Sequence, residues 1–174
     1  VEVLVADSAQ VARTLGDRQA DLGLSGMPSS PVGYSTISMA KDEVVLAVSS
    51  NHRFADQRSI TIDQLRDENI IEREGGSGTW QTVVHSLSAA GIELPEHKAS
   101  MTLGSTQAVV AAVGQNLGVG FVSNNAVASH GTKVVAVRID GLSLERDLSL
   151  VYETGRVRGR HTQAFIDFAE TKSS

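Results

Sequence analysis

Residues 101–132 contain no Asp, Glu, Lys or Arg, in a chain of which 20% is charged. An uncharged stretch of this length does not belong on an ordinary solvated surface. Gly, Asn, Gln and Ser interrupt it, so it lacks the continuous run of about 20 apolar residues that a bilayer span requires. It must therefore fold as buried helix and strand. Val109, Val110, Val113 and Leu117 recur at helical spacing, and Gly118-Val119-Gly120-Phe121-Val122 reads as the strand that follows.

The same layout recurs along the chain. Residues 1–6 alternate apolar and polar and predict a strand, and Asp7-Ser8 then offers capping side chains ahead of Val11 and Leu15. Residues 20–26 predict a short buried strand, and Met27-Pro28-Ser29-Ser30-Pro31 a loop. Two strands are expected at 34–39 and 43–48. Ile70-Ile71 predicts another, ending in Gly75-Gly76-Ser77-Gly78-Thr79, with Val83, Val84, Leu87 and Ala90 at helical spacing until Gly91 and Pro95. A strand over 97–103 leads to Ser105-Thr106 and the uncharged helix; Ser123-Asn124-Asn125 would cap a brief helix. Strands at 133–139 and 148–152 precede a last helix with Phe165, Phe168 and Ala169 on one face. Strands alternating with helices predict an α/β fold with parallel sheets.

Composition narrows the function. The 174 residues, 41% hydrophobic, suit one or two small lobes. With 15 Lys and Arg against 20 Asp and Glu, the net charge of −5 makes these residues a poor direct partner for nucleic acid. The absence of Cys excludes a disulfide framework, a thiolate zinc site and a cysteine nucleophile. His52, His85, His97, His130 and His161 show no metal-ligand spacing. Arg156, Arg158, Arg160 and His161 form one basic cluster, read as a solvated loop.

The hydroxyl-bearing loops carry what chemistry there is. The segment from Gly75 to Thr79 lacks the second glycine of a nucleophile elbow and the lysine of a phosphate loop. It remains either an ordinary capped helix start or a set of donors for a small anion. Ser105 and Thr106 carry the same two readings. Trp80 is either core or the wall of a pocket. No constellation for enzymatic turnover is present in the sequence.

Taken together, Gln19-Ala20-Asp21-Leu22-Gly23-Leu24, Ile71-Glu72-Arg73-Glu74-Gly75-Gly76-Ser77-Gly78-Thr79, Leu103-Gly104-Ser105-Thr106-Gln107-Ala108-Val109 and Leu117-Gly118-Val119-Gly120-Phe121-Val122-Ser123 resemble the effector-binding domain of LysR-type transcriptional regulators. The resemblance covers essentially the whole chain. It implies a type 2 periplasmic-binding-protein-like α/β fold, with two Rossmann-like lobes joined by two crossover strands. Lobe I would hold residues 1–48 and 153–174 and lobe II residues 49–152, with the family's first strand and helix preceding Val1. A small anionic effector would bind between the lobes, near Met27 and Pro28, Ser77 and Thr79, Ser105 and Thr106, and Val122 and Ser123. Trp80 stands where many relatives carry an arginine. The resemblance further implies a cytoplasmic protein without enzymatic activity, cofactor, metal or membrane contact. Its effector domains would form a homodimer, with a tetramer for the full-length protein, and DNA would be bound only through an N-terminal helix-turn-helix domain outside these residues. A solute-binding protein of the same fold, working outside the cytoplasm, is the alternative.

Overall fold

The computed structural model describes residues 2–27, 32–95, 98–129 and 131–173. Its axis is strand β2, Tyr34–Ser49, whose 16 residues extend roughly 50 Å at about 3.3 Å per residue. Where two strands are expected from the sequence, one strand runs through two sheets. Residues 34–43 pair antiparallel with β8 (Glu145–Glu153), which pairs with the short edge strand β1 (Gly23–Ser25). From Val44 onward β2 enters a second sheet between β6 (Gly120–Ser123) and β7 (Val134–Ile139). The sequence registers the change of environment. Residues 34–43 are largely exposed or half-buried, whereas Val45-Leu46-Ala47-Val48 is buried throughout, as a strand covered on both faces must be.

The second sheet continues on both flanks. Strand β3 (Ser59–Ile60) lies parallel to β7, and a 3₁₀ turn, Ile62–Asp67, leads from it to β4 (Asn69–Arg73). Ile71 N donates to Val119 O at 2.7 Å and Val119 N donates to Asn69 O at 2.9 Å, joining β4 to the approach of β6. Strand β5 (Lys98–Leu103) closes that edge, parallel to β4. The order is therefore β5-β4-β6-β2-β7-β3, and only β2 runs antiparallel to its neighbours. The expectation of wholly parallel sheets is corrected here, because β2 enters this sheet from the other lobe.

Helices cover both faces of this sheet. Helix α2 (Gly78–Ala89) buries Val83 and Leu87 against Leu46, Val48 and Phe121. Helix α3 (Thr106–Gly114) buries Val109, Val110 and Val113 against Val45, Ala47 and Val122 on the opposite face. The Leu-Gly-Val-Gly run is explained by close approach. A Cβ on Gly118 would collide with the Asn69 carbonyl, and one on Gly120 would lie 2.7 Å from Val109 Cγ1. Helix α4 (Asn124–Ala128) follows β6.

The first lobe is thinner. Helix α1 (Ser8–Gly16) packs Val11 and Leu15 so tightly on β1 that a Cβ at Gly23 would lie 2.5 Å from Val11 Cγ1. Helix α5 (Arg160–Ser173) buries Ile166 and Ala169 against Ile37 and Leu150. Two sequence expectations are corrected here. Phe165 and Phe168 lie outside the buried stripe of α5, and residues 2–6 form no strand, with Val3, Leu4 and Val5 80%, 68% and 92% exposed. Periodicity selects a strand only when a neighbour supplies hydrogen bonds, and no strand among the described residues pairs with 2–6.

Candidate functional site

Three helices begin around one polar cavity of about 160 Å³ between the lobes. Asp7 and Ser8 open α1, Ser77, Gly78 and Thr79 open α2, and Thr106 opens α3. Each start leaves backbone N–H groups without helical partners and carries the positive end of a helix dipole. Two of the cap side chains are spent locally: Ser77 Oγ accepts from Trp80 N at 3.5 Å, and Ser105 Oγ from Ala108 N at 3.1 Å.

The threonines face a different partner. Arg73, at the end of β4, donates from Nη1 to Thr106 Oγ1 at 2.9 Å and from Nε to the Leu103 carbonyl at 3.2 Å. Arg146, on β8, donates from Nη1 to Thr79 Oγ1 at 3.1 Å. Because each hydroxyl oxygen accepts from a guanidinium, its proton is left to donate elsewhere. Both guanidiniums are paired with acids. Arg73 forms a fork with Glu74, Nε to Oε2 at 2.8 Å and Nη2 to Oε1 at 2.6 Å. Arg146 Nε and Nη2 each lie 2.8 Å from Oδ2 of Asp42, whose side chain is fully buried. Asp42 Oδ1 accepts from Ser123 Oγ at 2.6 Å and Asn125 Nδ2 at 3.4 Å. Asp42 and Arg146 are cross-strand partners on β2 and β8, one residue short of Glu43, the last residue of β2 paired in the first sheet.

The lobes touch closely beside the cavity. Ala9 N donates to the Gly76 carbonyl at 3.1 Å. A Cβ on Gly78 would lie 2.6 Å from Ser8 Oγ, and one on Gly76 would lie 2.7 Å from Asp7 Oδ1. These glycines permit the approach that a side chain would block.

The structure thus brings Ser77, Thr79 and Thr106 together at the cavity. Ser105 stands behind them as the α3 cap, and Met27 lines an adjoining recess with Ser8, Val11 and Tyr34. Pro28 lies outside the described residues. Val122 is buried in the α3 core and Ser123 is bonded to Asp42, so neither lines the cavity. Trp80 packs into the α2 core with its ring centroid 6.4 Å from Phe121, which favours the core reading. Sequence reasoning missed Arg73, Arg146 and Asp42, whose roles come from tertiary pairing. It read Asp7 and Ser8 only as a cap, although the same pattern at Ser77 and Ser105 was weighed as a binding signal. Among the described residues no cluster of His, Asp or Glu is arranged to hold a metal ion, and no helix is long and apolar enough to cross a membrane.

Comparison with known proteins adds a family. The LysR substrate binding domain model matches residues 1–174. The chain is 30% identical over 174 residues to a phosphonates import ATP-binding protein of Anaeromyxobacter dehalogenans, covering 99% of the chain and 35% of that protein. It is 26% identical over 168 residues to the HTH-type transcriptional regulator CysL of Bacillus subtilis, covering 95% of the chain and 55% of the regulator. The fold matches the CcmR regulatory domain of Synechocystis PCC6803, solved in complex with 2-PG, with a TM-score of 0.83 and 22% identity over 97% of this chain and 80% of that one. The chain therefore spans about a third to a half of the curated relatives it matches.

Proposed function

Because the chain belongs to the LysR substrate binding domain family, we propose that it is the effector-sensing part of a LysR-type bacterial transcriptional regulator, holding a small metabolite by an anionic group in the interlobe cavity. The observation that carries this reading is the pair of threonines, Thr79 and Thr106, each accepting from an arginine and so left to donate. Acceptor oxygens of a carboxylate or phosphate complement such donors, reinforced by three helix starts. Effector binding would be shared between Ser77, Thr79 and Thr106 of one lobe and Ser8 of the other. The lobes are read as residues 1–48 with 153–174 and residues 49–152; β2 and β8 are the crossings, so that residues 44–48 of β2 pair within the second lobe's sheet and β8 within the first lobe's.

The remainder of the reading concerns a longer protein. A helix-turn-helix outside these residues would bind DNA, since a domain of net charge −5 is repelled by the phosphate backbone. Effector domains would pair as a homodimer in the cytoplasm and catalyse nothing. Closure of the lobes on the effector would change the spacing of the attached DNA-binding units.

Thermal shift and calorimetric titration of the 174-residue chain with carboxylate and phosphate metabolites test the proposal. A binding compound should lose about 0.5–3 kcal/mol of affinity in Thr106→Val and in Thr79→Val. No binding by any compound, or binding indifferent to both substitutions, would count against it. An electrophoretic mobility assay at low salt should show no DNA complex of the chain alone.

A further inference from the structure

The charges around the cavity are balanced, and the balance selects the kind of effector. Each cationic side chain at the cavity is already paired with a carboxylate, Arg73 with Glu74 and Arg146 with Asp42. Asp7 adds a third carboxylate at the cavity wall. Three acids against two guanidiniums leave one negative charge, and three helix starts at roughly +0.5 each more than offset it, leaving about half a positive charge. The site is close to neutral. A dianion such as phosphate or a dicarboxylate would bring an uncompensated charge into a partly desolvated space, at a cost that a net-neutral molecule does not incur.

The groups are also segregated. The donors Thr79 and Thr106 belong to α2 and α3 of one lobe, and the acceptor Asp7 to the start of α1 in the other, where its carboxylate approaches Gly76. Asp7 Oδ1 accepts from Gln10 N at 2.7 Å as a helix cap, while Oδ2 has no hydrogen-bond partner among the described residues. Capping uses one oxygen and could be met by Ser, Thr or Asn without a charge.

We propose that the effector is a zwitterion of the amino-acid class, its carboxylate held by Thr79 and Thr106 and its protonated amine paired with Asp7. This rests on the reading of the cavity as an effector site and adds the amine.

The standard amino acids, each set beside the acid lacking its amino group, are titrated into the wild-type chain and into Asp7→Asn, which retains a capping side chain and removes the charge. At least one amino acid should bind wild type more tightly than its deaminated partner. In Asp7→Asn its affinity should fall about tenfold to a hundredfold, while that of the deaminated acid holds or improves. Circular dichroism and melting temperature confirm that the variant is folded. If deaminated acids or inorganic phosphate bind wild type as well as the amino acids do, or if Asp7→Asn leaves their ratio unchanged, the zwitterion is overturned while the effector cavity stands. If neither series binds, both readings fail.

Discussion

The two lobes share one long strand but differ in how they hold it. In lobe II, residues 44–49 of β2 lie between two neighbours and two helices, and its two hydrophobic clusters include Leu46, Phe121, Val109 and Ile71, all nearly inaccessible. In lobe I the same strand has β8 on one side, and the cluster beneath α5 is only Ile37, Leu150, Ile166 and Ala169 with Leu22 and Tyr152 against it. Local stability follows buried apolar contact, so lobe II supplies a rigid platform and lobe I the part able to move. The site is divided accordingly. Its threonines stand on α2 and α3 of lobe II, backed by Arg73 of β4 and Arg146 of the crossing strand β8, whereas Asp7 and Ser8 arrive with lobe I.

The largest effect should come from opening the lobe II core. Phe121→Ala should cost about 3–5 kcal/mol in urea unfolding and bring down the whole chain, because Phe121 joins the β-sheet to α2. Ile166→Ala in lobe I should cost nearer the lower end of the roughly 2–5 kcal/mol range, since the thinner layer around it can collapse. Hydrogen exchange separates the outcomes: Ile166→Ala should deprotect α5 and β8 while β2 residues 44–49 stay protected. Uniform deprotection in both variants would show the lobes to be one cooperative unit.

A smaller effect tests the contact between the lobes. Gly78→Ala places a methyl group against Ser8 and the Gly26 carbonyl without touching either core, so it should act as a wedge. Overpacking of this kind costs about 1–3 kcal/mol, relieved here by parting the lobes. Small-angle scattering should report a larger radius of gyration and titration a weaker effector, with the lobe II exchange pattern retained. A variant as compact as wild type would place the flexibility elsewhere.

Much of this division was legible in the sequence and some was not. The run Val44-Val45-Leu46-Ala47-Val48 announced a strand covered on both faces, though the expected boundary leaves it in lobe I. Val109, Val110 and Val113 announced the buried face of α3, while residues 115–117 and 124–125 of the uncharged stretch 101–132 are exposed. The hydroxyls at Ser77, Thr79, Ser105 and Thr106 were readable because a helix start demands capping groups in a fixed place. The arginines were not, since Arg73 and Arg146 gain their meaning from Thr106 and Thr79 across the fold. Nor was the fate of residues 2–6, for alternation describes what a strand shows its two faces and says nothing about whether a partner lies at its edge.

A slight effect is expected at the lobe boundary. Glu43, the last β2 residue paired with β8, accepts from Arg138 of β7 at 2.6 and 2.9 Å. The guanidinium holds the Glu43 carboxyl below its ordinary range, the modest burial of the group working in the opposite direction. A carboxyl depressed in the folded state stabilises it above the ordinary pKa and loses that contribution as pH falls through the lowered value. Glu43→Gln should therefore be slightly less stable than wild type at neutral pH, and the gap should close on acidification. A gap that persists well below the carboxylate range would assign the loss to packing.

The smallest effect should be at residues 2–6, where the contrast between the lobes is sharpest. Val5 is 92% exposed and no strand among the described residues pairs with it, so the folded chain offers Val5→Ser no contact to lose. Urea unfolding at a concentration where the chain is monomeric should change by no more than about 0.5 kcal/mol. The backbone amides of residues 2–6 should exchange at the rate of unfolded peptide. A concentration series makes the test sharper. A second copy covering this segment would stabilise wild type by mass action as concentration rises, and Val5→Ser would fall progressively behind it. Parallel curves at all concentrations would show that no second copy covers this segment.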